Sequence, residues 1–208
     1  MGKTTPNKEQ AILQAAEHEF LTKGFDGART TSIAQAAGVT HAMLHYYFRT
    51  KEHIFNRILD EKMRLMGQSI LTSFGQSGLP LQERLSDAIG RHFDFIAANP
   101  DLPRFVVNEI VSRPERYDAM RSRIRGIADT LMRDLQKELN DSAEQGLTEP
   151  IDARMLLLDI ISLNVFSFIA YPVLEPILGD LTADRDRFFA LRKAENIEII
   201  LRRLRRYN

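Results

Sequence analysis

The sequence predicts an all-α protein of about nine helices, with a small three-helix N-terminal unit and a larger C-terminal helical bundle. Three observations carry this. Apolar residues recur at three- and four-residue spacing through almost the whole chain. No strand-like alternation survives beyond a few residues. Glycine and proline fall near the ends of the periodic segments, where they interrupt least. With 208 residues, 44% of them hydrophobic, the chain is long enough to bury a substantial core.

The first helix is expected over 8–23, where Ile12, Leu13, Ala16 and Phe20 share a face and Gly24 supplies a C-terminal stop. A short helix follows over 32–37. Ser32 and Gln35 have capping-box spacing at its start, with Thr30 or Thr31 as alternative caps. Gly38 marks a tight turn, and Thr40 caps a third helix that reaches about Phe48. A long helix covers 51–74 and ends at the clearest break in the chain, GQSGLP over 75–80. Later helices are expected over 81–98, 102–112, 114–139, 151–171 and 183–206, with Pro172 and Pro176 at a boundary. The domains are read as 1–55 and 56–208.

Charge and composition exclude several functions. Lys and Arg number 28 against 28 Asp and Glu, so neither a charge-disordered chain nor a uniformly basic nucleic-acid coat fits. The absence of cysteine excludes disulfides, thiolate catalysis and Cys-based metal sites. His41 and His45 stand i,i+4 but lack an evident third ligand, so no metal or cofactor is expected. His92 and Glu109 could form an acid–base pair, yet no spacing ties them to a nucleophile or phosphate loop, so no enzyme is expected. The opening MGKTTPNKEQ has no signal-like apolar stretch, and a cytoplasmic location is expected. The longest apolar run, between Asp159 and Glu175, is shorter than a membrane span and is read as a buried helix.

The stretch from Thr30 to Phe55, TTSIAQAAGVTHAMLHYYFRTKEHIF, carries the functional signal. Two short helices about a glycine turn form a helix-turn-helix, whose second helix can enter a DNA major groove. Ile33, Ala34 and Ala37 let the two helices pack closely, and Val39, Leu44 and Phe48 supply the buried face. His41, Ala42, Met43, His45 and Tyr46 are left facing outward. Basic and acidic side chains nearly balance over the first 60 residues, so recognition rests on a few placed groups. The Arg202, Arg203, Arg205 and Arg206 cluster suits a helix C-terminus and is read as structural.

Gly24-Phe25, Ile33-Ala34, Ala37-Gly38-Val39, Leu44, Phe48 and Lys51-Glu52 together resemble the DNA-binding domain of the tetracycline-repressor (TetR) family of bacterial regulators. The resemblance implies that Thr40, His41, Ala42 and Met43 open the recognition helix and touch bases or phosphates. It gives Tyr46 a backbone or base-edge contact, and Lys51 a phosphate at a helix start that also offers free N–H groups. Arg29, Thr30 and Thr31 meet the opposite wall of the groove. Ala42 stands where the family often has Gly, and His45 where it often has Tyr, which leaves the phosphate contact at position 45 open.

The segment 151–171 is apolar nearly all round, more than one face can bury within its own fold, and 183–206 adds a second apolar helix. Both are expected to pair with their symmetry mates in a homodimer, as the resemblance also implies. Such a dimer presents two recognition helices to a palindromic double-stranded operator. The resemblance further implies a small-molecule pocket between the middle helices. Phe93, Ile96, Phe105, Ile127, Leu131 and Phe166 are the apolar candidates, and His92, Asn108, Glu109 and Asn164 the polar ones. The function expected is a homodimeric transcriptional regulator, most simply a repressor released by a hydrophobic ligand. The alternative is a helical module that binds a protein partner without reading DNA.

Overall fold

A computed structural model describes residues 7–74, 79–107 and 114–206; within these, the side chains of 63, 66–67, 69–74, 105, 114–124, 126–128 and 130 are left aside. The described residues hold helices and no strand. They divide into two compact units, one built from 7–65 with 105–107, the other from 66–104 and 114–206.

In the first unit, α1 spans Lys8–Gly27, with the Asn7 side chain accepting the Glu9 amide at its start. Ile12, Ala16 and Phe20 line its buried face. Gly24 does interrupt the helix: at φ 68°, ψ 174° it breaks the ladder, and one further turn follows before Ala28 extends the chain. That extra turn swings Phe25 onto Phe20 and Phe55, whose ring centroids lie 5.8 and 5.1 Å away.

Helix α2 is Thr30–Ala36, starting earlier than the capping-box spacing at Ser32 suggests. Its N-cap is Arg29, which offers no side-chain bond. The Arg29 amide instead donates to Glu19 Oε1 of α1 at 3.4 Å, a long-range acceptor in place of a local cap. The helix closes in a Schellman motif, with Val39 N–H on Ala34 O and Gly38 N–H on Gln35 O. Gly38 takes the left-handed conformation this needs, at φ 65°. Thr40 then caps α3, His41–Tyr47, by accepting the Met43 amide. Thr50 accepts the His53 amide at the head of α4, Lys51–Phe74. Ile33, Ala34, Leu44, Phe48, Ile54, Phe55 and Leu59 complete the core of this unit.

The second unit contains α5 (Leu81–Ala97), the first three residues of α6 (Leu102–Val106), α7 (Pro114–Glu144), α8 (Ala153–Leu178), a short 3-10 turn (Gly179–Thr182) and α9 (Arg185–Leu204). Asp152 and Asp184 cap α8 and α9. One core cluster joins Leu85, Ile89, Leu135, Leu139, Leu156 and Ile200. A second is aromatic, with Phe168 stacked on Phe189 at 4.3 Å and Phe93 packed beside them. Arg202 and Arg205 pair with Glu198, and Arg203 with Asp159, which matches a structural reading of that cluster.

Two expectations for α8 are corrected. The helix does not stop at Tyr171 but runs through Pro172 and Pro176. Both prolines stand on its exposed side, so the pyrrolidine rings meet solvent and not a packed neighbour. Nor is it a buried helix. By length and composition it could cross a membrane, and only 22% of its most apolar stretch is buried. Phe166, Val173 and Ile177 are 62, 71 and 74% exposed.

Candidate nucleic-acid interface

The packing of α2 against α3 divides their residues cleanly. Ile33, Ala34 and Leu44 are buried, while Arg29, Thr31, Thr40, His41, Ala42, His45 and Tyr46 are exposed, Tyr46 to 83%. Thr30 and Met43 are half-buried, so Met43 presents less of itself than the spacing suggests.

Local contacts tie this face together. Thr30 Oγ1 lies 3.0 Å from His41 Nε2, joining the heads of α2 and α3. The His41 and His45 rings meet edge to face at 4.4 Å, and His45 Nδ1 lies 3.3 Å from the Arg49 carbonyl. Tyr46 leans edge-on against Tyr47 at 5.5 Å. The result is an exposed, largely polar surface with hydroxyl, imidazole and phenol groups, the donor and acceptor types that read base edges and phosphates. No group of three or more His, Asp or Glu that could hold a metal occurs among the described residues.

Lys51 is placed differently from its neighbours. Its Nζ donates to the carbonyls of Phe25 (2.8 Å) and Ala28 (3.0 Å) and sits 4.5 Å from the Phe25 ring centroid. Glu19, buried nearby, accepts from Lys23 at 2.8 Å, and that bond holds its carboxyl below the usual carboxylate range. The Glu19–Lys23 pair is an i,i+4 contact within α1, whereas the course of Lys51 was not visible in the sequence, because its carbonyl partners lie more than twenty positions away.

The candidate ligand residues of the second unit fall into several settings. His92, Phe93 and Ile96 of α5 and Asn164 of α8 are buried; Leu131 is half-buried; Phe166 is turned outward. The side chains of Phe105 and Ile127, and residues Asn108 and Glu109 altogether, lie outside the described ones. His92 and Asn164 belong to a polar ladder. Arg192 donates to Asn196 Oδ1, Asn196 Nδ2 donates to Asn164 Oδ1, and Asn164 Nδ2 donates to Ile89 O and reaches His92 Nδ1. Arginine only donates and a carbonyl only accepts, so the two ends fix the direction of every bond between them. His92 Nδ1 therefore accepts, the proton is on Nε2, and the ring is neutral. Burial pushes its pKa down to about 4. Asn196 and Arg192 were missed in the sequence, although Asn196 interrupts the apolar stripe formed by Phe189 and Ile200.

Comparison with known proteins agrees with this geometry. The family model "Bacterial regulatory proteins, tetR family" matches residues 12–58, and "Tetracyclin repressor-like, C-terminal domain" matches 82–199. The transcriptional regulator RutR of Escherichia coli K12 is 25% identical over 195 residues, covering 93% of this chain and 88% of that protein. A TetR-family regulatory protein from Rhodococcus RHA1 superposes with TM-score 0.74 at 20% identity, over 98% of this chain and all of the other. FadR from Bacillus subtilis, solved with stearoyl-CoA, superposes with TM-score 0.64 at 22% identity, over 94% of this chain and 98% of the other.

Proposed function

Since the chain belongs to the TetR family of bacterial regulatory proteins and is a DNA-binding transcriptional regulator rather than an enzyme, we propose that it acts in the cytoplasm as a homodimeric repressor of a palindromic operator, released by an apolar small molecule. The observation that carries this reading is the exposed face of α3, with Thr40, His41, Ala42, His45 and Tyr46 left open beside a fully buried Leu44. These residues, with the half-buried Met43, contact bases and phosphates from inside the major groove, while Arg29, Thr30 and Thr31 hold the adjacent backbone.

Dimerisation is supported by the apolar face of α8. Met155, Leu158, Ile161, Phe166, Val173 and Ile177 are exposed along it, and Leu191 and Ile199 continue the patch on α9. Isolated exposed apolar residues are ordinary, but a strip along a whole helix implies a partner surface. A second copy covers it and sets two recognition helices about 34–36 Å apart, one turn of DNA.

The aromatic cluster around Phe93, Phe168 and Phe189 supports an apolar effector, as does the stearoyl-CoA bound by the structurally similar FadR. An effector that prefers a dimer with mis-spaced recognition helices shifts the population away from the DNA-competent form. Selection from a random duplex library at moderate salt tests the reading. One enriched inverted repeat supports it; a folded dimer that enriches nothing, even after unfolding, stripping and refolding, contradicts it.

A further inference from the structure

The break at Gly24 leaves the corner between α1 and α2 only one short turn, closed by the Ala28 amide on the Gly24 carbonyl at 3.2 Å, and two charged side chains hold the remaining groups. Lys51 Nζ takes the carbonyls of Phe25 and Ala28 at 2.8 and 3.0 Å, with the Phe25 ring 4.5 Å beyond. From the other side Glu19 takes the Arg29 amide at a longer 3.4 Å. The residues that follow at once are Arg29, Thr30 and Thr31, and Thr30 is bonded in turn to His41 at the head of α3. An ammonium has three protons, and a site offering two carbonyls and a ring face satisfies it without an anion.

We infer that Lys51 is a positioning residue: it fixes the corner from which Arg29–Thr31 and, through Thr30, the head of α3 are presented to DNA, and it is not itself a phosphate ligand. This rests on the DNA-binding reading above. The two accounts of Lys51 differ in their salt dependence. A phosphate ligand contributes about 0.9 to the slope of log K against log[salt], so its loss lowers the slope by roughly one per subunit. A positioning residue lowers affinity at every salt concentration and leaves the slope alone.

The test uses the full-length protein and an operator obtained by selection, comparing wild type with Lys51→Met over a salt series. Amide hydrogen exchange of the free protein is read alongside. The expected result is a tenfold or greater loss of affinity, an unchanged slope, and faster exchange at the Arg29 amide. A slope reduced by about one per subunit overturns the inference whatever the affinity, and so does unchanged affinity with unchanged slope. Lys51→Gln keeps a donor for one carbonyl, so it carries the same test should the methionine variant not fold. Exchange at Arg29 is measured without DNA, so a wild type that selects no operator defeats the DNA-binding reading while the corner is still tested.

Discussion

The two units invert each other's surface. In the first, the core is apolar apart from Glu19, and the face of α3 left outside is polar: His41, His45 and Tyr46 flank a buried Leu44. In the second, His92, Asn164 and Asn196 are buried while Phe166, Val173 and Ile177 stand in the open. The first unit is complete by itself and keeps a face for something hydrophilic. The second is incomplete, because its most apolar helix lacks cover. Under the proposed function, the DNA-reading surface is useful only once a second copy closes the apolar one.

The largest effect should come from breaking that closure. Phe166→Glu places a charge in the uncovered strip; sedimentation should show monomers at concentrations where wild type is dimeric, with operator affinity down more than a hundredfold. Retained dimers would move the interface elsewhere.

Next is the polar ladder. Asn164→Leu leaves His92 Nδ1 and Asn196 Nδ2 without partners and removes the second bond to the Ile89 carbonyl, and should cost about 3 kcal/mol in urea unfolding at fixed protein concentration. The same ladder should respond to acid. With its folded pKa near 4 against about 6.5 unfolded, His92 binds its proton more readily in the unfolded chain. Its contribution is therefore complete above about pH 6.5 and is lost as pH falls toward 4, to a limit of about 3 kcal/mol. His92→Gln should flatten stability between those values; an unchanged pH profile would mean that another group titrates there.

In the first unit, by contrast, Tyr46→Ala should leave thermal stability and dimerisation unchanged and lower operator affinity about tenfold, about 1.4 kcal/mol. A normal affinity would reassign the reading face. The smallest effect is expected at the turn. Gly38→Ala meets no neighbouring atom within 4 Å, so its cost is the left-handed backbone alone, about 1 kcal/mol in chemical denaturation.

The same contrast explains what was legible in the sequence. Where structure is decided by neighbours, the reading held: Thr40 caps α3, Gly38 turns left-handed, and α4 spans Lys51–Phe74 as expected. Where a distant group decides, it did not. The start of α2 is set by Glu19 of α1, and the inward course of Lys51 by carbonyls on the preceding corner. The exposed face of α3 follows from helical spacing around Leu44, so most of that surface could be anticipated. The ladder through Asn196 and Arg192 could not, because local spacing does not reveal which buried amides meet across three helices. Pro172 misled for a related reason: a rule about isolated helices gave way to an exposed face that tolerates the missing donor.

The most direct test of the whole account is a spacer series on the selected operator. Inserting five base pairs between the half-sites turns one of them half a helical turn away from its recognition helix. A dimer reading both halves through α3 should lose at least a hundredfold in affinity, and ten inserted pairs, which restore the face but add about 34 Å to the separation, should not recover it. Affinity that is indifferent to the spacer would contradict paired reading and leave each subunit binding alone.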